Sequence, residues 1–310
     1  MNTIRKVSVV LLTYNRVGMF RDCLDSLVHQ NYPKDRYEII IGDSSTTDDI
    51  KTIYKQYDLI HDPRISYFYQ ERQGLPAARN MGIEHSSGDI VCFIDDDAIA
   101  DENWILNLTQ GFTDEKIGGV AGNILGYNST GIIEKYGDVL FSREDPGRDT
   151  VLPKNNGPCG CNASYRRDVL SLVHGFDPQI LSAEDLDIAL KIQKSGYSFR
   201  YARNAIVFHR QRLTLKELRA RAYTLTKYGM KLISDKYPDD YSYSKLLLGY
   251  IFRIPYKLAL YPYVILVTPF QEDKIFHLAR PALDILVSLS RIRGCISALL
   301  QNVRYDPARQ

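Results

Sequence analysis

Nowhere does the chain offer a stretch of about eighteen uncharged apolar residues, which argues against a clean membrane-crossing helix. Cysteine is scarce: Cys23, Cys92, Cys159, Cys161 and Cys295 are odd in number and form no C-x-x-C pair. Neither a disulfide framework nor a four-cysteine zinc site is indicated, and a reducing compartment fits. The N-terminus, MNTIRKVSVVLLTYN, lacks a small-residue cleavage site, and its apolar run of about eight residues reads as a strand rather than a signal peptide. A cytoplasmic location is expected, with or without peripheral attachment to the cytoplasmic face of the membrane. No G-x-G-x-x-G follows that first run, so the dinucleotide fingerprint is missing. An excess of one charge is missing too, the net being +2, which argues neither for nucleic acid nor for an acidic partner. The charge is nonetheless uneven. From Arg210 onward 17 Lys and Arg stand against 8 Asp and Glu, an excess of +9, which leaves the first 209 residues at −7.

What is present is an alternation. Residues 7–13, 37–42, 65–69 and 90–94 are short apolar runs rich in β-branched residues, and 17–30, 48–56 and 76–86 have helical spacing between them. Near-continuous apolar strands alternating with helices predict an α/β fold, a mostly parallel sheet covered on both faces. Ligands of such sheets bind at the C-terminal strand ends. The polar residues there are Thr13, Tyr14, Asn15 and Arg16, then Asp43, Ser44 and Ser45, then Arg72 and Gly74, then Asp95, Asp96 and Asp97. Residues 128–156 have weak periodicity and predict an irregular connection or hairpin. Residues 184–195 predict a helix stopped by Gly196, and 197–208 a strand running into His209.

Three adjacent carboxylates after a buried run repel one another unless a cation sits among them. Carboxylates one residue apart can hold a hard divalent cation that keeps positions open for diphosphate oxygens. A solvated acidic turn capping the next helix is the alternative. Glu184 and Asp185 open a helix, where the dipole favours negative charge, and either is also available as a general base. His209 is a candidate metal ligand through a ring nitrogen.

The order of these pieces closely resembles glycosyltransferase family 2, enzymes of the GT-A fold. The matching sequence is TYNR, Asp43 with its serines, Gly74, Ala78-Arg79-Asn80 before Gly82, FIDDD, residues 162–167 leading to HGFD, Glu184-Asp185, and His209. The likeness covers residues 5 to 212. It implies a catalytic domain over 1–212 that moves a sugar, with inversion, from a nucleoside diphosphate sugar, UDP-linked first among them, to a hydroxyl of a glycan or lipid-linked acceptor. It further implies Mn²⁺ or Mg²⁺ as cofactor and a place in cell-surface polysaccharide, glycolipid or glycoprotein glycan synthesis. By the same resemblance Thr13, Tyr14, Asn15, Arg16, Asp43, Ser45, Gly74, Arg79, Asp95 and Asp96 bind the nucleotide sugar. Asp97, Asp95 and His209 bind the metal, and Asp185 with Glu184 is catalytic. Relatives commonly have G-G-F-D where this chain has His174-Gly175-Phe176-Asp177. A D-x-D phosphohydrolase and a nucleotide-sugar binding module without turnover are the other readings.

Residues 213–310 lie beyond the resemblance and predict helices. Arg253, Pro255, Lys257 and Pro262 interrupt the most apolar stretch, and Ile285, Leu289, Ile292, Ile296 and Leu299 recur at helical spacing near the end. Two readings stay open: helices packed on the catalytic domain or on a second copy of the chain, and an element lying at a membrane surface. No nucleic-acid partner is expected.

Overall fold

The computed structural model describes residues 5–58, 62, 64–142, 146–211, 214–270 and 273–304. In chain order the first elements are β1 (Val7–Thr13), α1 (Val17–Val28), β2 (Tyr37–Asp43), α2 (Asp49–Asp58), β3 (Ile65–Tyr69), α3 (Leu75–Glu84) and β4 (Ile90–Asp95). There follow β5 (Ala98–Ala100), α4 (Trp104–Gln110), β6 (Ile117–Gly126), α5 (Ile132–Phe141), β7 (Thr150–Val151), β8 (Ala163–Arg166), α6 (Arg167–Leu172), α7 (Glu184–Lys194) and β9 (Ser198–His209). The last helices are α8 (Leu215–Thr224), α9 (Lys231–Lys236), α10 (Tyr243–Val267) and α11 (Lys274–Leu300), with a π-helical turn at Leu225–Met230 between α8 and α9. The chain divides into two compact units. One comprises Met1–Tyr127, Phe141–Pro178 and Asp185–Arg210, the other Asn128–Leu140, Gln179–Glu184 and Gln211–Gln310. The boundary expected at 212/213 lies outside the described residues.

The first unit holds one nine-stranded sheet in the order β3-β2-β1-β4-β8-β6-β9-β5, with β7 beside β9. Strands β1 to β4 are parallel, as their apolar runs predict. Beyond β4 the sheet is mixed: β8 is antiparallel to both β4 and β6, and β9 is parallel to β6 but antiparallel to β5. It is therefore less parallel than expected, because β8 enters the sheet between β4 and β6 running opposite to both. All seven residues of β1 are buried, since helices cover both faces. One face packs Val9, Leu11, Ile39 and Ile94 against Phe20, Leu24 and Leu27 of α1. The other packs Val10, Phe93 and Tyr165 with Phe176 and Phe199. Gly82 permits close approach of α3, because a Cβ there would lie 2.4 Å from Val10 Cγ1.

The register gathers the polar strand ends at one edge. Thr13 lies opposite Asp43, Leu12 opposite Asp95, and Ala98 opposite His209. Thus the C-terminal ends of β1, β2 and β4 sit side by side, and the end of β9 joins them through β5.

In the second unit, Tyr136 of α5 packs with Leu218, Phe276, Leu283 and Val287. Residues 132–141 are a helix rather than the irregular connection expected: Ile133, Tyr136 and Val139 supply one apolar face, and Glu134 accepts from the amides of Thr130 and Gly131. Thr214 and Glu217 form a capping box at the start of α8.

Candidate active site

Asp96 is buried at 4% exposure, with Thr13 Oγ1 donating to it at 2.7 Å and Arg16 Nη1 at 3.0 Å. The same Arg16 nitrogen donates to Asp97 at 2.6 Å. One cation from the β1 loop thus bridges two of the three aspartates. Burial pushes the Asp96 carboxyl up to about 6, with Arg16 and the Thr13 hydroxyl opposing. Asp97 goes the other way: burial would raise it, but His209 and Arg16 beside it hold the carboxyl below its usual range. Asp95 is raised by burial, against Arg79.

His209 Nε2 approaches Asp97 Oδ1 at 3.2 Å, yet that buried oxygen has no aligned hydrogen bond. Ligand atoms of Asp95, Cys161 and His209 lie within 4.8 Å of one another. Carboxylate, imidazole and thiol groups this close together, with the Asp97 carboxylate beside the imidazole, fit a divalent cation. Cys161 arrives here because β8 runs antiparallel to β4 with Phe93 opposite Ala163, so that continuing the register brings residue 161 to residue 95.

Beside this cluster, Asp185 is held at both oxygens. Arg79 Nη1 donates to Oδ1 at 2.5 Å and the Gly160 amide to Oδ2 at 2.9 Å. Arg79 is 2% exposed, between the rings of Phe93 and Phe176 at 5.9 and 5.2 Å from its guanidinium carbon. Position 160 has no room for a side chain: a Cβ would fall 1.7 Å from Arg79 Nη2.

On the other side of β1, Asp43 is 1% exposed and accepts from the Ser45 amide at 2.8 Å and the Tyr67 hydroxyl at 2.7 Å. The β1 loop is tied to it. Asn15, in the left-handed region at φ 55°, donates its amide to Ser45 Oγ at 2.9 Å and accepts from the Thr46 amide at 3.0 Å. Arg72 covers the Tyr14 ring at 4.3 Å. Gly74, at φ 104°, caps α3.

The family model described as Glycosyl transferase family 2 matches residues 8–173. The chain belongs to glycosyltransferase family 2. Over 209 residues this family 2 glycosyltransferase is 29% identical to the glycosyltransferase AglE of Haloferax volcanii, covering 67% of this chain and 68% of AglE. Over 231 residues it is 28% identical to the O-antigen chain rhamnosyltransferase RfbN of Salmonella typhimurium, covering 68% of each. The match covers 53% or less of some longer curated relatives. Among solved structures, the mannosyltransferase PcManGT of Pyrobaculum calidifontis, in complex with GDP-Man and Mn²⁺, has a TM-score of 0.65 at 18% identity, over 94% of this chain and 88% of that one. The fold is the GT-A fold of such enzymes, with a helical C-terminal region. Membership in this family displaces the phosphohydrolase reading.

The structure brings Thr13, Arg16, Asp95, Asp96, Asp97 and His209 together, and sets Asn15, Asp43 and Ser45 in one adjoining network. Arg79, expected on the nucleotide, engages Asp185 directly. Glu184 opens α7 and is buried. His174 is exposed at φ 57°, where glycine would be unstrained. Sequence reasoning missed Cys161, Gly160 and Tyr67. The glycines flanking Cys159 and Cys161 were the available signal for the first two; nothing local marked Tyr67, an ordinary strand tyrosine.

Proposed function

We propose that this glycosyltransferase moves a sugar from a nucleoside diphosphate sugar, with UDP as the first candidate carrier, to an acceptor hydroxyl with inversion at the anomeric carbon. The observation that carries the reading is that His209 joins two carboxylates: its Nε2 lies 3.2 Å from Asp97 Oδ1, and its ring and the Asp95 carboxylate offer ligand atoms within 4.8 Å of each other. These three would hold a divalent cation, Mn²⁺ or Mg²⁺. Bound there, the ion would neutralise charge developing on the leaving diphosphate.

The remaining work falls to side chains. Arg16 and Thr13 keep Asp96 and Asp97 in place, while Asp43, Ser45 and Asn15 form the wall for base and ribose, Asp43 facing the edge of the base. The Tyr14 ring and Gly74 border the same wall. Arg79 and the Gly160 amide fix the orientation of Asp185, each of whose oxygens keeps a lone pair. Asp185 takes the acceptor's proton as that oxygen bonds to the anomeric carbon from the face opposite the diphosphate. The glycosidic C–O bond breaks with its electron pair leaving on the diphosphate, and one displacement gives inversion. The covalent nucleophile of a double displacement is not required. A role in cell-surface polysaccharide or related glycan synthesis is supported by the likeness to the O-antigen rhamnosyltransferase.

Calorimetric titration of UDP, GDP and dTDP, each with Mn²⁺, with Mg²⁺ and with EDTA, tests this. Cation-dependent binding of one nucleotide, lost in Asp97→Ala, is the expected outcome. Absence of binding under every condition overturns it.

A further inference from the structure

Helix α10 is built inside out. Its inner side meets α11: Lys257 pairs with Asp284 at 2.6 Å, Arg291 lies over the Tyr250 ring at 5.3 Å, and Tyr243 packs with Cys295 and Ala298. With that side spoken for, the opposite side should be polar. Instead Leu248, Phe252, Tyr256, Ala259, Tyr263 and Leu266, spaced by four, four, three, four and three residues, form one outward stripe. Leu248 is 50% exposed, Phe252 67%, Tyr256 60%, Tyr263 62% and Leu266 70%. The stripe runs about 27 Å along the helix. A row of this length and exposure is uncommon on a surface that only water touches.

Charge selects the occupant. The 25 residues of α10 include no Asp or Glu, and its cations are Lys245, Arg253 and Lys257. Lys257 is engaged by Asp284, which leaves Lys245 and Arg253 exposed beside the stripe. A second copy packed on this face would bring the same cations and no α10 carboxylate to pair with them. An anionic lipid surface supplies both halves of the match, acyl chains for the stripe and phosphates for the cations. Tyrosines 256 and 263 suit the headgroup level, where an apolar ring and a wet hydroxyl are both satisfied. None of the described helices is long and apolar enough to cross a membrane, so the contact is in the plane of the surface.

The geometry points to the outward face of α10 as a docking surface for an anionic bilayer, with the helix lying along the interface. The inference stands independently of the sugar-transfer reading. Co-sedimentation of the full chain with vesicles of equimolar phosphatidylcholine and phosphatidylglycerol tests it, beside vesicles of phosphatidylcholine alone. Binding to the mixed vesicles, weakened by high salt and reduced about tenfold or more by Phe252→Glu with Tyr263→Glu, is expected, since each aromatic ring forfeits its burial. A second variant, Phe252→Trp, should show blue-shifted emission on vesicles and quenching by brominated acyl chains. Wild type left in the supernatant overturns the inference, as does equal binding by the double glutamate variant, or no spectral change at Trp in position 252. A vesicle-free dimer abolished by Phe252→Glu would assign the face to a second copy instead.

Discussion

The strand-end edge of the sheet and the outward face of α10 both invert the ordinary distribution of side chains, the first by burying charge and the second by exposing apolar surface. Nearly every charge at the edge is matched from within the chain: Asp96 by Thr13 and Arg16, Asp185 by Arg79 and Gly160, Asp43 by Ser45 and Tyr67. One shortfall, at Asp97 Oδ1, lies where the proposed cation would be held. On α10 nothing among the described residues covers the stripe. Buried charge is tolerated only with partners, so it organises a site, whereas exposed apolar surface calls for a partner outside the chain.

The sharpest way to break the comparison is at the edge. Asp185→Asn should lower the rate of transfer by about 10²- to 10⁴-fold while nucleotide affinity changes little, as steady-state kinetics beside calorimetry would show. Equal loss of both would give Asp185 a purely structural part. Next, Phe93→Ala, which empties a place between Tyr165 and Phe176, should cost about 3–5 kcal/mol in urea unfolding. Arg79→Met keeps much of the volume but leaves Asp185 without its cation, and about 3 kcal/mol is expected because a paired charge has lost its partner. A melting temperature equal to wild type would show the pair to be incidental.

Smaller effects sharpen the contrast. Burial pushes the Glu38 carboxyl up, and hydrogen bonds from Ser8 and Ser87 more than reverse it, so it lies below its ordinary 4.5 in the folded chain. Its contribution is complete above the unfolded pKa and is lost as pH falls through the folded one. Glu38→Gln should therefore cost about 1 kcal/mol near neutrality, with the stabilities of variant and wild type converging as the medium becomes more acidic. Smallest of all, Phe252→Ala should move stability by less than about 0.5 kcal/mol, since its ring is already in solvent. A loss comparable to that at Phe93 would mean the ring is covered in solution.

Where the sequence left readings open or misplaced a helix, the residues show why. Leu289, Ile296 and Leu299 recur at helical spacing, which suits a packed face or an exposed one, and they are 47%, 47% and 56% exposed. The buried side of α11 is instead made by Leu283, Val287, Cys295 and Ala298, because Gly294 lets the helix approach the turn at Thr226 closely. Small residues outrank large ones there, which a hydrophobicity pattern does not weigh. In α5 the turn residues ahead of Ile132 hid the helix, although Glu134 was present to cap it.

By itself the sequence determined the alternation of strand and helix, the polar strand ends and the family, and it singled out the three adjacent aspartates, because strand pattern and motif order are local properties of the chain. Tertiary structure alone decided that Arg79 serves Asp185 rather than standing free, that Cys161 joins Asp95 and His209, and which side of α10 faces outward. Those outcomes depend on the antiparallel return of β8 beside β4 and on helix packing, which join residues far apart in the chain and leave no periodic trace within it.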